Sequence, residues 1–167
     1  MRVLGIDPGT IRTGYGVVET DGSRMRCIAA GVIHASEGKP LEERLLLVHD
    51  GLARVIQEQA PASVAVEDIY FREHPNAALK LGHARGVALL VAAQAGLAVE
   101  TYQASVVKRT VVGRGSATKD QVGRLVQAML GLKDLPPVDA TDALAIAITH
   151  LSAVRFRAVA LGAPKRR

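Results

Sequence analysis

Tryptophan is absent from this 167-residue chain, and two Phe with three Tyr hold the aromatic share to 3%. A core of ordinary size must therefore be built from aliphatic side chains, which dominate the 49% of residues that are hydrophobic. One cysteine, Cys27, excludes an intramolecular disulfide and suits a reducing compartment, so the cytoplasm is the expected location. The N-terminus runs directly into Arg2-Val3-Leu4-Gly5-Ile6-Asp7 without an apolar stretch of signal-peptide length. The longest uncharged run, Gly86 to Val99, falls short of the roughly 18 residues that suggest a bilayer span. Neither secretion nor membrane insertion is expected. Negative charge is also in short supply: 21 Lys and Arg against 16 Asp and Glu leave a formal charge of +5 and a pI near 9.7. That balance favours an acidic partner, most commonly nucleic acid.

The length fits one domain, 1–167, with about 155–167 expected as a loose basic tail ending in Lys165-Arg166-Arg167. Val3 to Asp7, Gly14 to Glu19 and Met25 to His34 read as three strands joined by tight turns at Pro8-Gly9 and Asp21-Gly22. Apolar residues at helical spacing from Leu41 to Gln59 predict an amphipathic helix that Pro61 stops. Ser63 to Glu67 is a fourth strand, and Asn76 is placed to cap a helix reaching about Ala95. Ala98 to Tyr102 is a fifth strand. Helices follow over Ser105 to Val112, from a capping box of Thr118 and Gln121, and from Asp139 to about Ala153. Strands in series followed by alternating helices and strands give a mixed α/β plan: a five-stranded sheet flanked by helices.

Most acids in this plan fall on solvated faces, but four do not. Asp7 and Glu67 each terminate an apolar strand, and a charge at the rim of a core requires a partner or a ligand. Two strands can thus deliver carboxylates to one sheet edge, the position where open α/β sheets bind ligands. Asp139 and Asp142, three residues apart, share one face at the start of a helix that is apolar nearly all round. A helix N-cap accounts equally well for Asp139; it does not account for Asp142. Oxygen donors without cysteine or paired histidines suit Mg²⁺ or Mn²⁺. Two such ions form a clamp for attack of water on a phosphodiester. Arg12, Arg85, Lys108, Arg109, Arg114 and Lys119 are the cations expected nearest this edge, where they would contact phosphate.

The sequence resembles the RuvC family along most of its length. Gly5-Ile6-Asp7-Pro8-Gly9 with Thr13-Gly14-Tyr15-Gly16, Val66-Glu67, Ala78 to Gly82 with Ala84-Arg85-Gly86-Val87, Val107-Lys108 with Val111-Val112-Gly113, and Asp139 to Ala147 match its motifs in order and spacing. The resemblance implies a ribonuclease-H-like fold and a metal-dependent endonuclease that resolves four-way (Holliday) junction DNA by paired nicks. It further implies a homodimer working with the RuvA and RuvB branch-migration complex. By the same resemblance Asp7, Glu67, Asp139 and Asp142 hold two Mg²⁺ or Mn²⁺ ions, and Lys108 and Lys119 stand near the scissile phosphate. The resemblance also implies that Tyr70, or its neighbour Phe71, stacks on junction bases; Arg85 and Arg114, from their expected place near the edge, are further candidate DNA contacts. An actin-like kinase also pairs an early Asp with Gly and Thr, but 167 residues leave no room for its second domain.

Overall fold

The computed structural model describes residues 1–68 and 75–162. Its elements are β1 (Arg2–Asp7), β2 (Arg12–Thr20), β3 (Met25–His34), α1 (Leu41–Gln59), β4 (Ser63–Glu67), α2 (Pro75–Gln94), β5 (Val99–Tyr102), α3 (Ala104–Val112), α4 (Lys119–Leu130) and α5 (Val138–Ala160). The five strands form one mixed sheet in the order β3-β2-β1-β4-β5. The first three pair antiparallel, and β4 and β5 continue parallel from β1.

Period-two alternation divides each strand between two cores. Leu4, Ile6, Val17, Val64 and Val66 pack with Val48, Leu52, Ala88 and Val91 of α1 and α2. On the other face Val3, Val18 and Ala65 pack with α3, α4 and the Leu144–Ile148 stretch of α5. Both cores are aliphatic, with Tyr102 as the aromatic member among the described residues. By length and composition alone α5 could cross a bilayer, but half of its most apolar stretch is buried inside the molecule. It serves as the central helix of the second core.

Two helix ends differ from the sequence expectation. The second helix is described from Pro75 onward, which places Asn76 inside it and not ahead of its first residue. The last helix runs past Ala153 to Ala160, which makes residues 155–160 helical and not part of a loose tail. No Gly or Pro interrupts Val154 to Ala160, Arg157 bonds Glu100 across 3.0 Å, and the chain turns only at Gly162, at φ 69°.

Three glycines set how closely α5 approaches the sheet. A Cβ at Gly5 would collide with the carbonyl oxygen of Ala143, and one at Gly14 with that of Asp139. At Gly16 it would stand 2.8 Å from Leu144. Gly5 pairs with Gly16, and Gly14 with Asp7, so these positions form one shallow bed across β1 and β2. Substitution there should behave as overpacking against backbone that cannot yield, at a cost of about 1–3 kcal/mol or more. Gly14→Ala is therefore expected to lower Tm by at least about 3 °C in a thermal melt. Gly86→Ala, on α2 with nothing within 4 Å of its added methyl, should leave Tm unchanged or raise it.

Candidate active site

The parallel register sets Ile6 beside Val66, so Asp7 and Glu67 end adjacent strands. Gly5 and Ala65 face α5, and two-residue alternation turns Asp7 and Glu67 to the same side. The two carboxyl groups share a hydrogen bond in which protonated Asp7 donates to Glu67. Asp142 reaches the same place from the first turns of α5, and its charge acts on both. Burial, followed by the charge of Glu67, pushes the Asp7 pKa up to about 8; burial also raises that of Glu67.

Two lysines face this cluster from separate helices. Lys119 is the first residue of α4, whose start is set by a reciprocal capping box: the Gln121 amide N–H donates to Thr118 Oγ1, and the Thr118 N–H donates to the Gln121 side chain. Its Nζ donates to Asp142 Oδ2 across 2.7 Å, a bond that strengthens its hold on the proton. Lys108, half-buried on α3, acts electrostatically on Glu67. The β1–β2 turn is held by Thr13, whose buried hydroxyl donates to the Gly9 carbonyl across 2.7 Å and receives the Gly9 N–H across 3.3 Å.

Asp139 is positioned differently. Its main chain rests on Gly14, directly across from Asp7, but its carboxylate accepts a 2.6 Å bond from Arg12 Nε. It does not cap α5, whose N-cap is Pro137 with no side-chain cap bond. Arg85 lies beside Asp68, 3.3 Å away and one residue beyond Glu67. Arg114 is exposed in the turn between α3 and α4. The two aromatic candidates, Tyr70 and Phe71, lie outside the described residues. Among the described residues no group of three or more acidic, histidine or cysteine side chains is spaced, as it stands, to hold a metal ion. Asp139 and Asp142 are each engaged by a cationic side chain.

The chain as a whole is similar to known proteins. The family described as crossover junction endodeoxyribonuclease RuvC matches residues 3–150. The chain belongs to the RuvC family. A crossover junction endodeoxyribonuclease RuvC of Trichlorobacter lovleyi is 51% identical over 157 residues, 94% of this chain and 88% of the relative. The solved structure of Thermus thermophilus RuvC in complex with Holliday junction substrate superposes with a TM-score of 0.89 at 38% identity, covering 94% of this chain and 96% of that one. The yeast mitochondrial Holliday junction resolvase, at 12% identity and a TM-score of 0.65, shares the fold. The architecture is accordingly the ribonuclease-H-like α/β fold.

Sequence reasoning did not find three features of the region. The pairing of Arg12 with Asp139 joins residues far apart in the chain and carries no local signal. The glycine bed had one, since Gly14 and Gly16 stand two apart in a strand and so share a face. His150, one face along α5 from Asp142, does not reach the carboxylates. It is buried, with Nε2 3.0 Å from Ser63 Oγ and Nδ1 2.9 Å from the Tyr102 hydroxyl.

The raised pKa of Asp7 makes the cluster a source of pH-dependent instability. Because its folded-state pKa lies above the unfolded value of 3.8, its stabilising contribution is complete below pH 3.8 and is lost as pH rises to about 8. In metal-free buffer, Asp7→Asn should therefore melt above wild type, with the gap widening from pH 4 to pH 8. A gap of roughly 3 °C at pH 8, of the order of 1 kcal/mol, is the expected size. A gap that narrows over this range would show that Asp7 is not desolvated as described.

Proposed function

We propose that this chain, folded as a single nuclease domain, is a structure-selective endonuclease that resolves Holliday junctions through paired nicks in opposing strands. The observation that carries the reading is the convergence of Asp7, Glu67 and Asp142 on one edge of the fold, within a chain whose family relatives are crossover junction endodeoxyribonucleases.

The donor set fits a hard divalent cation. Every candidate ligand is a carboxylate oxygen, and the desolvation that raises Asp7 and Glu67 leaves them in need of a counter-charge that a shared proton supplies only in part. Asp7, Glu67, Asp142 and Asp139 would hold two Mg²⁺ or Mn²⁺ ions. When bound, these would supply Lewis acidity at the phosphate and a lowered pKa for the attacking water. Rigid strand ends fix Asp7 and Glu67, and α5 carries Asp142 as part of a buried helix, so the ligands stand on scaffold and not on mobile loops. Lys119 and Lys108 face the same edge and would bind the phosphate whose P–O3′ bond breaks as water adds to phosphorus. The products are a 5′-phosphate and a 3′-hydroxyl, the termini that a ligase rejoins.

Arg85 and Arg114 would hold flanking phosphates, and Tyr70 or Phe71 would stack on junction bases; stacking of this kind is worth about 1–3 kcal/mol per base. Two equivalent strands require two equivalent sites. The exposed Leu79 and Leu90 of α2, 62% and 53% accessible, support a two-fold dimer through that helix. Family membership supports RuvA and RuvB as the branch-migration partners.

A synthetic mobile four-way junction, assayed beside a linear duplex of the same sequence in Mg²⁺ or Mn²⁺, tests the proposal. Wild type should nick the junction symmetrically and leave the duplex nearly intact. Asp7→Asn should retain junction binding and lose cleavage by about a hundredfold or more, since even outer-shell changes at metal sites cost 10–100-fold. Equal cutting of both substrates would refute junction selectivity. Undiminished cleavage by Asp7→Asn would refute the metal assignment.

A further inference from the structure

Arg12 occupies a position that the proposed reaction does not explain. It sits at the start of β2, two residues from Gly14, and Gly14 is both the partner of Asp7 in the sheet and the bed for the Asp139 main chain. The Asp139 backbone is therefore pinned next to Asp7, and the direction of its side chain alone decides whether the carboxylate joins the acidic cluster. In this structure Arg12 holds it out of the cluster with the 2.6 Å bond from Nε. The pair is accessible to solvent, Arg12 at 51% and Asp139 at 27%, so its net strength is modest and an incoming anion can compete for it.

We infer that Arg12 is a positioning residue that keeps Asp139 in reserve, releasing it to the metal site when a DNA phosphate takes the guanidinium. Guanidinium binds phosphate through two parallel N–H bonds, whereas Asp139 receives one. Phosphate is thus the stronger claimant once DNA is seated. The freed Asp139 then adds a carboxylate beside Asp7, whose sheet partner Gly14 carries the Asp139 main chain. A divalent cation relieves the repulsion this adds. DNA and metal consequently favour each other's binding, because both compete against one ion pair. The device favours a complete cleavage site in protein that has DNA in place. This inference rests on the metal-site reading above.

Two DNA-or-metal-alone titrations test it with the full-length chain. In the first, Mn²⁺ binding without DNA is followed by the electron paramagnetic resonance of the free ion. Arg12→Gln should bind Mn²⁺ about two- to five-fold tighter than wild type, the range set by an exposed ion pair. Arg12→Lys, which keeps charge and reach, should stay near wild type. The gain must disappear in an Asp139→Asn background; an equal gain there would mean that Arg12 acts only as a nearby charge, and the inference would fall. In the second, junction DNA is titrated in the presence of a chelator. Asp139→Asn frees Arg12 and should tighten binding by a similar factor, but only while Arg12 is present. The same gain in Arg12→Gln protein, or no gain in either background, overturns the inference.

Thermal melts establish that each variant is folded, and Arg12→Met, which keeps the aliphatic stem, replaces Arg12→Gln should the latter unfold. The two readings fail in different ways. If no variant binds Mn²⁺ up to millimolar concentrations, the metal site itself is refuted and Arg12 gating with it. If wild type binds Mn²⁺ and the double-substitution difference is zero, only the role of Arg12 is refuted.

Discussion

The close approach of α5 to β1 and β2 is the constraint on which the rest of this molecule depends. Main chain meets main chain at Gly5 and Gly14, where the space holds hydrogen and nothing larger. That contact seals the second aliphatic core, which has almost no aromatic bulk with which to fill a wider gap. It also carries Asp139 and Asp142 to the strand ends that bear Asp7 and Glu67. The same packing therefore supplies stability and the placement of these acids, as close-packed interiors transmit a displacement instead of absorbing it.

Electrostatics work against this packing. Sequestering Asp7 and Glu67 side by side costs free energy that solvated acids would not, and the proton they share is a partial remedy. Lys119 and Arg12 provide further relief by engaging Asp142 and Asp139. Cationic groups at such an edge have two uses, because the charges that steady the acids are also suited to receive a phosphate backbone. A fold optimised for stability alone would not collect four acids around one sheet edge. This local conflict with the fold's own stability is the physical ground on which a functional role is proposed for the edge.

The polar groups around His150 have the reverse character. His150, Ser63 and Tyr102 are buried and mutually hydrogen-bonded, and burial lowers the His150 pKa toward the neutral ring. This satisfied network ties the middle of α5 to β4 and β5 some two turns from Asp142. Buried titratable groups alone do not distinguish the two regions. What separates them is whether the groups satisfy one another, as here, or repel, as at the carboxylate edge.

Local pattern was enough to read the five strands, the limits of α1, the Thr118 capping box and the four acids as outliers, because each depends on periodicity or on neighbours within one turn of chain. Order and spacing of short motifs likewise sufficed to suggest the family. The end of α5 was misjudged where a basic composition suggested a tail, although helix-forming residues and the Arg157–Glu100 pair continue the helix. Only the tertiary structure could decide that Asp139 turns to Arg12 while Asp142 turns to Lys119 and the cluster, since both lie on one helix face and look alike in sequence. The same is true of His150, whose spacing from Asp142 gave no hint that a buried serine and tyrosine would claim it. Identity and spacing along the chain determine which side chains a helix face presents; the partner each one meets depends on distant segments that the folded backbone brings against it.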